Sequence, residues 1–331
     1  MKHFFVSLSI CSALFLVGCS HKEVYKPENV KGEWKNAGRL SASIEQISQT
    51  AAVLENGHIL SKEGEKVVKI SNENRLINLS GGWVITQNSD NNLELFPEEG
   101  SGERVVLDLN RTVAAASIQE DTAAILFANN EIALYSLSAK KIIFKESSTA
   151  PIAIDARIAN PYFLKDLALF LGLDGKIVIV NIANKQVLRS IIVGSEEYFN
   201  NITYLNVIEN NMIASTGNTV LALSDKEQRE KYEVRDIAYT KEGVWLTTKQ
   251  GEVIALSPTL QYKGKQKFPF AHFVGISVQH DRVYVLEQEG YMIALTKDLL
   301  SYDVYDVDMK HDPVFVGKDR FYFDDRYISI K

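Results

Sequence analysis

Histidine, cysteine and acidic residues are the usual material of metal sites and nucleophilic centres, and in this chain they are scattered. Beyond residue 18 there are five histidines, and none has the spacing of His-x-His or HExxH: His21, His58, His272, His280 and His311. There is also no G-x-S-x-G elbow and no Gly-rich phosphate loop. The sequence therefore predicts no catalytic residues, no cofactor and no metal site, and the histidines are interpreted as surface or turn residues.

Two short polar motifs remain. The run Asn88-Ser89-Asp90-Asn91-Asn92 offers oxygen atoms to a calcium ion but lacks the closing glycine and acidic ligand of a calcium loop, so we interpret it as a turn. The run Asp108-Leu109-Asn110-Arg111-Thr112 matches the extended acceptor sequence of bacterial N-glycosylation, which makes Asn110 a glycosylation candidate. A chance match is the alternative.

The N-terminus has the pattern of an export signal. Lys2 precedes an apolar stretch from Phe4 to Val17 that is short for a membrane span. The following Leu16-Val17-Gly18-Cys19 resembles the lipobox of bacterial lipoproteins, which implies cleavage before Cys19 and a lipid on its thiol. An ordinary secretory signal with a chance cysteine is the alternative. In proteobacterial lipoproteins a serine after the cysteine, here Ser20, implies the outer membrane.

Three segments follow from this pattern. Residues 1–18 are predicted to be the signal peptide, residues 19–36 a lipidated tether, and residues 37–331 one folded domain. Cleavage removes Cys11, and lipidation uses Cys19, so no thiol is left for a disulfide, a metal or a nucleophile. The formal net charge of −6 gives no basic footprint, so nucleic acid is not expected as a partner.

The folded domain is organised around the stretch from Leu167 to Ile182. Two almost wholly apolar runs flank Asp174-Gly175, a pair typical of a two-residue type I′ hairpin with positive φ at both positions. Arms that are apolar at nearly every position indicate a sheet that is buried on both faces. We therefore expect neighbours on both sides of this hairpin.

The same pattern of apolar run, turn and apolar run recurs along the chain. Its turns fall 33 to 45 residues apart, at positions 57, 92, 130, 175, 218, 251, 290 and 325. Strand signals at this period predict an all-β chain folded as a single β-propeller. Eight blades are expected, with seven as the alternative. The last hairpin ends at the C-terminus without a fourth strand, so we expect a strand from residues 34–44 to close the ring.

The second arms of the hairpins carry a family resemblance. Gly251 to Ser257, Gly290 to Thr296 and Asn218 to Ser224 resemble the G-x-[VI]-x-A-L-[DS] core of the PQQ-type propeller repeat. The docking tryptophan of that repeat is missing from every unit here. Quinoprotein dehydrogenases of this family hold their cofactor against an adjacent cysteine pair, and the mature chain has no second cysteine. The combination of lipobox, short tether and cofactor-free repeats resembles instead the propeller lipoproteins of the outer-membrane β-barrel assembly machinery.

Aromatic residues cluster in two predicted connections between blades. Phe268, Phe270 and Phe273 lie in one, and Tyr198 and Phe199 lie in the other. Connections gather at the two ends of a propeller channel, so these side chains are candidate anchors for a protein partner. The alternative is that they fill the core between blades.

The sequence thus predicts a non-enzymatic protein-interaction scaffold, anchored by lipid in the outer membrane on the periplasmic side. The family resemblance implies a role in the assembly of outer-membrane β-barrel proteins. The alternatives are a scaffold of another envelope complex or a surface adhesin. A different class, an enzyme or small-ligand receptor that uses the central channel, would place polar residues with perturbed titration along the channel.

Overall fold

The computed structural model describes residues 23–309 and 311–330. Within them, the strands form eight four-stranded antiparallel sheets, and no segment is helical. The sheets are the blades of an eight-bladed β-propeller, which confirms the predicted fold class and excludes the seven-bladed alternative.

The first four blades follow the chain from the innermost strand outward. Blade 1 contains β2 (Ile44–Ile47), β3 (Ala51–Leu54), β4 (His58–Ser61) and β5 (Gly64–Lys69). Blade 2 contains β6 (Arg75–Ser80), β7 (Trp83–Gln87), β8 (Leu93–Pro97) and β9 (Val105–Leu107). Blade 3 contains β10 (Val113–Gln119), β11 (Thr122–Phe127), β12 (Ile132–Ser136) and β13 (Lys141–Glu146). Blade 4 contains β14 (Tyr162–Leu164), β15 (Leu167–Leu171), β16 (Lys176–Asn181) and β17 (Gln186–Ile192).

The remaining four blades complete the ring. Blade 5 contains β18 (Tyr204–Ile208), β19 (Asn211–Ser215), β20 (Thr219–Leu223) and β21 (Glu227–Lys231). Blade 6 contains β22 (Val234–Thr240), β23 (Gly243–Thr248), β24 (Glu252–Leu256) and β25 (Tyr262–Lys267). Blade 7 contains β26 (Phe273–Gln279), β27 (Arg282–Glu287), β28 (Tyr291–Thr296) and β29 (Tyr302–Asp306). Blade 8 contains β30 (Val314–Val316), β31 (Arg320–Phe323), β32 (Arg326–Ser329) and, outermost, β1 (Ala37–Arg39).

Burial explains why the middle strands gave the clearest sequence signal. The second and third strands of each blade are sandwiched between neighbouring blades, and β12 and β23 are buried along their whole length. The outer strand faces solvent on one side, so β25 alternates between more and less exposed residues. The apolar core accordingly lies between adjacent blades in separate clusters rather than at one centre.

The ring closes as the sequence predicted. Strand β1 pairs with β32 in antiparallel register, with Ala37 opposite Ile328 and Arg39 opposite Arg326. Trp34 reinforces the joint, since its indole N–H donates to the Ser329 carbonyl at 2.8 Å. The sheet of blade 8 therefore joins residues 37–39 to the last hairpin of the ring.

The described part of the predicted tether is packed on the propeller. Residues 31–34 run beside β29 of blade 7, where the Lys31 and Trp34 N–H groups donate to Val304 and Asp306 carbonyls, each at 2.8 Å. Further upstream, the buried Tyr25 ring meets Phe268 and Tyr291 edge to face, at centroid distances of 5.9 and 5.7 Å. Aromatic residues in an otherwise polar segment thus find partners on blades 6 and 7.

The organising hairpin differs from its predicted turn type. Strands β15 and β16 are joined by a four-residue loop closed by the Gly172 N–H and the Lys176 carbonyl at 2.8 Å, and within it only Gly175 has a positive φ, of 79°. The two-residue type I′ prediction was wrong because Leu173 turns into the core, where it is buried. Glycine is still required at 175, since a Cβ there would lie 2.3 Å from the Asn200 amide nitrogen.

Candidate functional site

All loops that could meet a partner collect on two faces of the disc. Because strand direction alternates within a blade, the turn between the second and third strands shares one face with the connections between blades. We call this the loop face. It carries two long connections, residues 147–161 between β13 and β14 and residues 193–203 between β17 and β18.

Hydrogen bonds hold these two connections against each other. The Phe199 N–H donates to the Ala153 carbonyl at 3.0 Å, and the buried Asn201 side chain accepts from the Asp155 N–H at 2.6 Å. The Asn201 amide also donates to the Arg157 carbonyl at 2.8 Å. Although they lack regular structure, the two connections thus present a defined surface.

That surface leaves four large apolar side chains in solvent. Ile152 is 74% exposed, Phe199 53%, Tyr198 47% and Ile154 36%. We call these four residues the loop patch. Phe199 has a φ of 53°, in the left-handed region that bulky residues rarely adopt. Grouped exposed apolar side chains on one face are typical of protein-interaction surfaces.

The predicted anchor residues divide into two groups. Phe268 and Phe273 are buried and pack with centroids 6.0 Å apart in the cluster between blades 6 and 7, which is the core alternative. Phe270 is 60% exposed, with a φ of 64°, in the connection that follows blade 6. Tyr198, Phe199 and Phe270 are therefore the residues of the predicted set that a partner can reach.

The innermost strands surround a central channel with a volume of about 910 Å³. Its wall mixes apolar side chains with charged ones, and the charged residues are Lys62, Arg75, Asp155, Arg157, Arg235, Asp236, Lys249 and Asp312. The 147–161 connection reaches this channel through Asp155 and Arg157. The long loop therefore links the loop patch to the axis of the propeller.

Asp236 occupies a bulge position of an inner strand at which blades 1 and 2 carry neutral side chains. The inner strands of blades 1, 2 and 6 each bulge, and the residue after the bulge is Gln46, Asn78 or Asp236. Each side chain bonds the inner strand of the next blade. Gln46 accepts from the Leu76 N–H at 3.0 Å, Asn78 donates to the Ala116 carbonyl at 2.8 Å, and Asp236 accepts from the Ile276 N–H at 3.3 Å. An amide serves this role at less desolvation cost than a carboxylate.

Several channel groups have shifted titration. Burial raises the pKa of the Asp236 carboxyl, although the Ile237 N–H and the Arg157 charge act in the opposite direction. Burial lowers the pKa of the Lys62 ammonium. Burial disfavours the Asp155 carboxylate, but hydrogen bonds from Arg157 outweigh it and lower the Asp155 pKa. Polar residues with perturbed titration thus line the channel, as a ligand-binding propeller would require.

The remaining sequence motifs have plainer roles. Residues 88–92 form the turn between β7 and β8, in which the Asn88 side-chain oxygen accepts from the Asp90 and Asn92 N–H groups at 3.1 and 3.0 Å. Across residues 23–309 and 311–330, no three histidine, cysteine or acidic side chains are placed to hold a metal ion. Asn110 lies exposed in the connection between blades 2 and 3, so its modification stays a prediction that the geometry permits.

The signal peptide, Cys19 and His21 lie outside the described residues, so the lipid anchor stays a prediction. A search of the described residues finds no helix that is long and apolar enough to cross a membrane.

The sequence reasoning missed Ile152, Ile154 and the charged channel wall. One signal was present: the longest intervals between hairpins lie around position 175, where the two long connections occur. The charged inner residues gave no signal, because one polar residue in a weak inner strand resembles any other.

The fold and surfaces define an eight-bladed propeller with a charged channel and an exposed apolar loop patch. No known family profile matches the chain. It is 27% identical to the plasminogen-binding protein PgbB of Helicobacter pylori strain J99, over 94% of this chain and 68% of that protein. The PgbB of strain 26695 is 26% identical over the same shares.

Among solved structures, BamB from Moraxella catarrhalis superposes with a TM-score of 0.67 at 14% identity, covering 89% of this chain and 98% of that chain. The C-terminal WD40 domain of Sif2 gives a TM-score of 0.65 at 11% identity, covering 92% and 99%. These similarities establish the propeller fold.

Proposed function

We propose that this chain is a non-enzymatic, protein-binding propeller of the bacterial cell envelope, and that plasminogen is a partner. The observation that carries the proposal is the similarity to PgbB, which extends along 94% of the chain rather than over one repeat. This choice develops the surface-adhesin alternative of the sequence analysis. Binding requires no chemical step, which agrees with the lack of a catalytic motif.

The loop patch is the proposed contact surface. Large aromatic side chains are frequent energetic centres of protein interfaces, and burial of neighbouring aliphatic side chains adds a favourable hydrophobic contribution. Asn201 and the Phe199 backbone hydrogen bond fix the patch before binding, so little ordering entropy is lost. A rigid, exposed apolar patch is therefore suited to a folded protein partner.

The test is binding of purified plasminogen to the purified protein by surface plasmon resonance, with two matched variants. Phe199→Asn and Phe270→Asn each remove an exposed phenylalanine at a positive φ, and asparagine accepts that backbone conformation. We expect Phe199→Asn to weaken binding about tenfold or more and Phe270→Asn to leave it unchanged.

The outcomes separate the partner from the surface. A wild-type protein without saturable plasminogen binding would remove plasminogen as the partner. Saturable binding that Phe199→Asn does not weaken would keep the partner and move its contact away from the loop patch.

The anchor at Cys19 is the second part of the proposal. Lipidation would hold the propeller at the outer membrane and raise the local concentration of its binding surface. Cells that express a Cys19→Ala variant should release the protein from membrane fractions into the soluble fraction. Unchanged membrane association of that variant would contradict the lipid anchor.

Outer-membrane barrel assembly is the second candidate function, supported by the lipobox together with the PQQ-type repeats. A crosslinked pull-down of the native protein from envelopes, followed by mass spectrometry, distinguishes the two candidates. Recovery of barrel-assembly subunits would favour this role, and recovery of another envelope complex would favour a different scaffold role. Their absence alongside measurable plasminogen binding would favour the adhesin.

A further inference from the structure

The central channel has the size and wall of a small-molecule site. Its volume of about 910 Å³ lies at the upper end of typical ligand pockets. Apolar residues that keep exposed surface, among them Ile47, Val274 and Val316 from blades 1, 7 and 8, share the wall with charged groups. Mixed apolar and polar walls of this kind hold a ligand by burial and orient it by charge.

The charge of the wall is opposite to that of the protein. The whole chain has a formal charge of −6, yet the channel gathers five cationic residues: Lys62, Arg75, Arg157, Arg235 and Lys249. The acidic residues of the same wall are Asp155, Asp236 and Asp312. Cations in excess inside a narrow, low-dielectric cavity attract anions from solution.

Four of the charged groups, Asp155 among them, are already bonded within the protein. Arg157 donates to both Asp155 and the Arg235 carbonyl, and Arg75 donates to Gln87 and the Val113 carbonyl. Asp236 accepts from two backbone N–H groups. These contacts fix the wall and leave the remaining cations as the groups that can meet a ligand.

Lys62 is the strongest candidate for that contact. It lies in the turn between β4 and β5, and its side chain enters the channel wall. Its ammonium has no hydrogen-bond partner among the described side chains and backbone groups, although it interacts electrostatically with Asp236. Desolvation by surrounding protein groups lowers its pKa although the residue keeps solvent access, and a bound anion would stabilise its charged form.

Arg235 is the second candidate. It lies in β22, at the end of the strand near the loop face, and its guanidinium contacts the His272 ring. Arg157 and burial both disfavour its charge, with burial the larger cause, so a nearby anion would be favourable here as well. The Lys62 turn lies on the face opposite the loop face, so Arg235 adds positive charge toward the other end of the channel.

We propose that the central channel binds a small organic or inorganic anion, through a carboxylate or phosphate group held by Lys62. The apolar wall would cover the rest of the ligand. This inference is independent of the plasminogen proposal, since the loop patch lies outside the channel.

The experiment is isothermal titration calorimetry at constant ionic strength, with succinate and inorganic phosphate as the two probes. Lys62→Gln removes the proposed contact. Lys226→Gln is the matched control, because Lys226 occupies the equivalent third-to-fourth strand turn of blade 5 and is exposed like Lys62, but it lies away from the channel. The charge lost is the same in both variants.

We expect saturable binding of at least one probe, weakened about tenfold by Lys62→Gln and unchanged by Lys226→Gln. The probe that binds more tightly assigns the site to carboxylates or to phosphates. A wild-type protein that binds neither probe, or two variants that weaken binding equally, would overturn the proposal. Plasminogen binding of Lys62→Gln should be unchanged, which keeps this test separate from that of the loop patch.

Discussion

Two parts of this propeller depart from its regular repeat, and they differ in what their apolar side chains contact. On the closing side, residues 25–39 run along blades 7 and 8 and bury Tyr25 against Phe268. On the insertion side, connections 147–161 and 193–203 leave Ile152 and Phe199 in water. The residue types are similar, but their partners differ. Apolar side chains that meet a neighbouring blade stabilise the fold, and those that meet only solvent are available to another molecule.

The closing side is also the place where the ring is held shut. Trp34 contacts the Tyr284 and Tyr305 rings edge to face, with centroids 6.0 and 5.1 Å away, and donates to Ser329 of the last hairpin. The long connections of the insertion side do not hold the ring closed, because blades 3, 4 and 5 complete their sheets without them. Changes on the two sides should therefore separate stability from binding.

Truncation after Lys318 should give the largest effect. It removes β31 and β32, and with them the partner strand of β1, so the ring cannot close. We expect the loss of a cooperative unfolding transition, measured by circular dichroism during heating. A truncated protein that melts cooperatively near the wild-type temperature would contradict closure by the terminal strands.

Trp34→Ala should be the next most disruptive change. The substitution removes two aromatic contacts and the hydrogen bond to Ser329, and we expect a loss of about 2–4 kcal/mol in the free energy of unfolding. Chemical denaturation measures this. Phe270→Ala is the control on an exposed aromatic, which should lose less than about 0.5 kcal/mol. Equal losses would show that the closing segment contributes no special stability.

Asp236→Asn should have a smaller, pH-dependent effect where the insertion side reaches the channel. Asp236 faces Arg157, Lys62 and Tyr204. Because its folded pKa is raised, its contribution to stability is greatest in acid and is lost as the pH rises through that pKa. Asparagine does not titrate, so we expect the variant to melt at a higher temperature than wild type at neutral pH, with the gap closing in acid.

Thermal melts across the pH range test this expectation. Asn78→Asp provides the reciprocal variant, since it places a carboxyl at the equivalent bulge of blade 2 and should destabilise the protein at neutral pH. A stability difference for Asp236→Asn that is independent of pH would contradict the titration argument.

The double substitution Ile152→Ser and Ile154→Ser should have the smallest effect on stability. Both side chains are in solvent, so the free energy of unfolding should stay within about 0.5 kcal/mol of wild type. Partner binding should fall, because the loop patch loses much of its apolar area. Clear destabilisation would show that these side chains stabilise the connection, and would contradict the separation of stability from binding on the two sides.

Much of the fold was predictable because the middle strands of every blade are buried on both faces and therefore repeat the same apolar pattern. Segments such as residues 123–127 and β15 must be apolar at almost every position when a blade covers each face. Eight such hairpins predicted eight blades, and the unfinished last hairpin predicted the closing strand. The turn type at Asp174-Gly175 was mispredicted, because Leu173 found a buried site that only the packed core provides.

The candidate sites were less predictable, and particular residues show why. Phe268 and Phe270 lie two positions apart in one connection, yet one is buried and the other 60% exposed. No local pattern distinguishes them, because burial of Phe268 depends on Tyr25, more than 240 positions away in the chain. The environment of Asp236 is likewise set by the charge of Arg157 and the N–H of Ile276, which belong to other elements.

The sequence by itself determined the class of fold, the number of blades and the closure of the ring, because continuous apolar hairpin arms and their spacing are local properties repeated many times. The tertiary structure alone decided which aromatic residues are exposed, where the charged channel lies and how residues 25–36 pack. Each of these depends on side chains from distant blades meeting at one place. Such side chains lose their contact with water only when the blades have packed into the ring, so no local sequence pattern reports it.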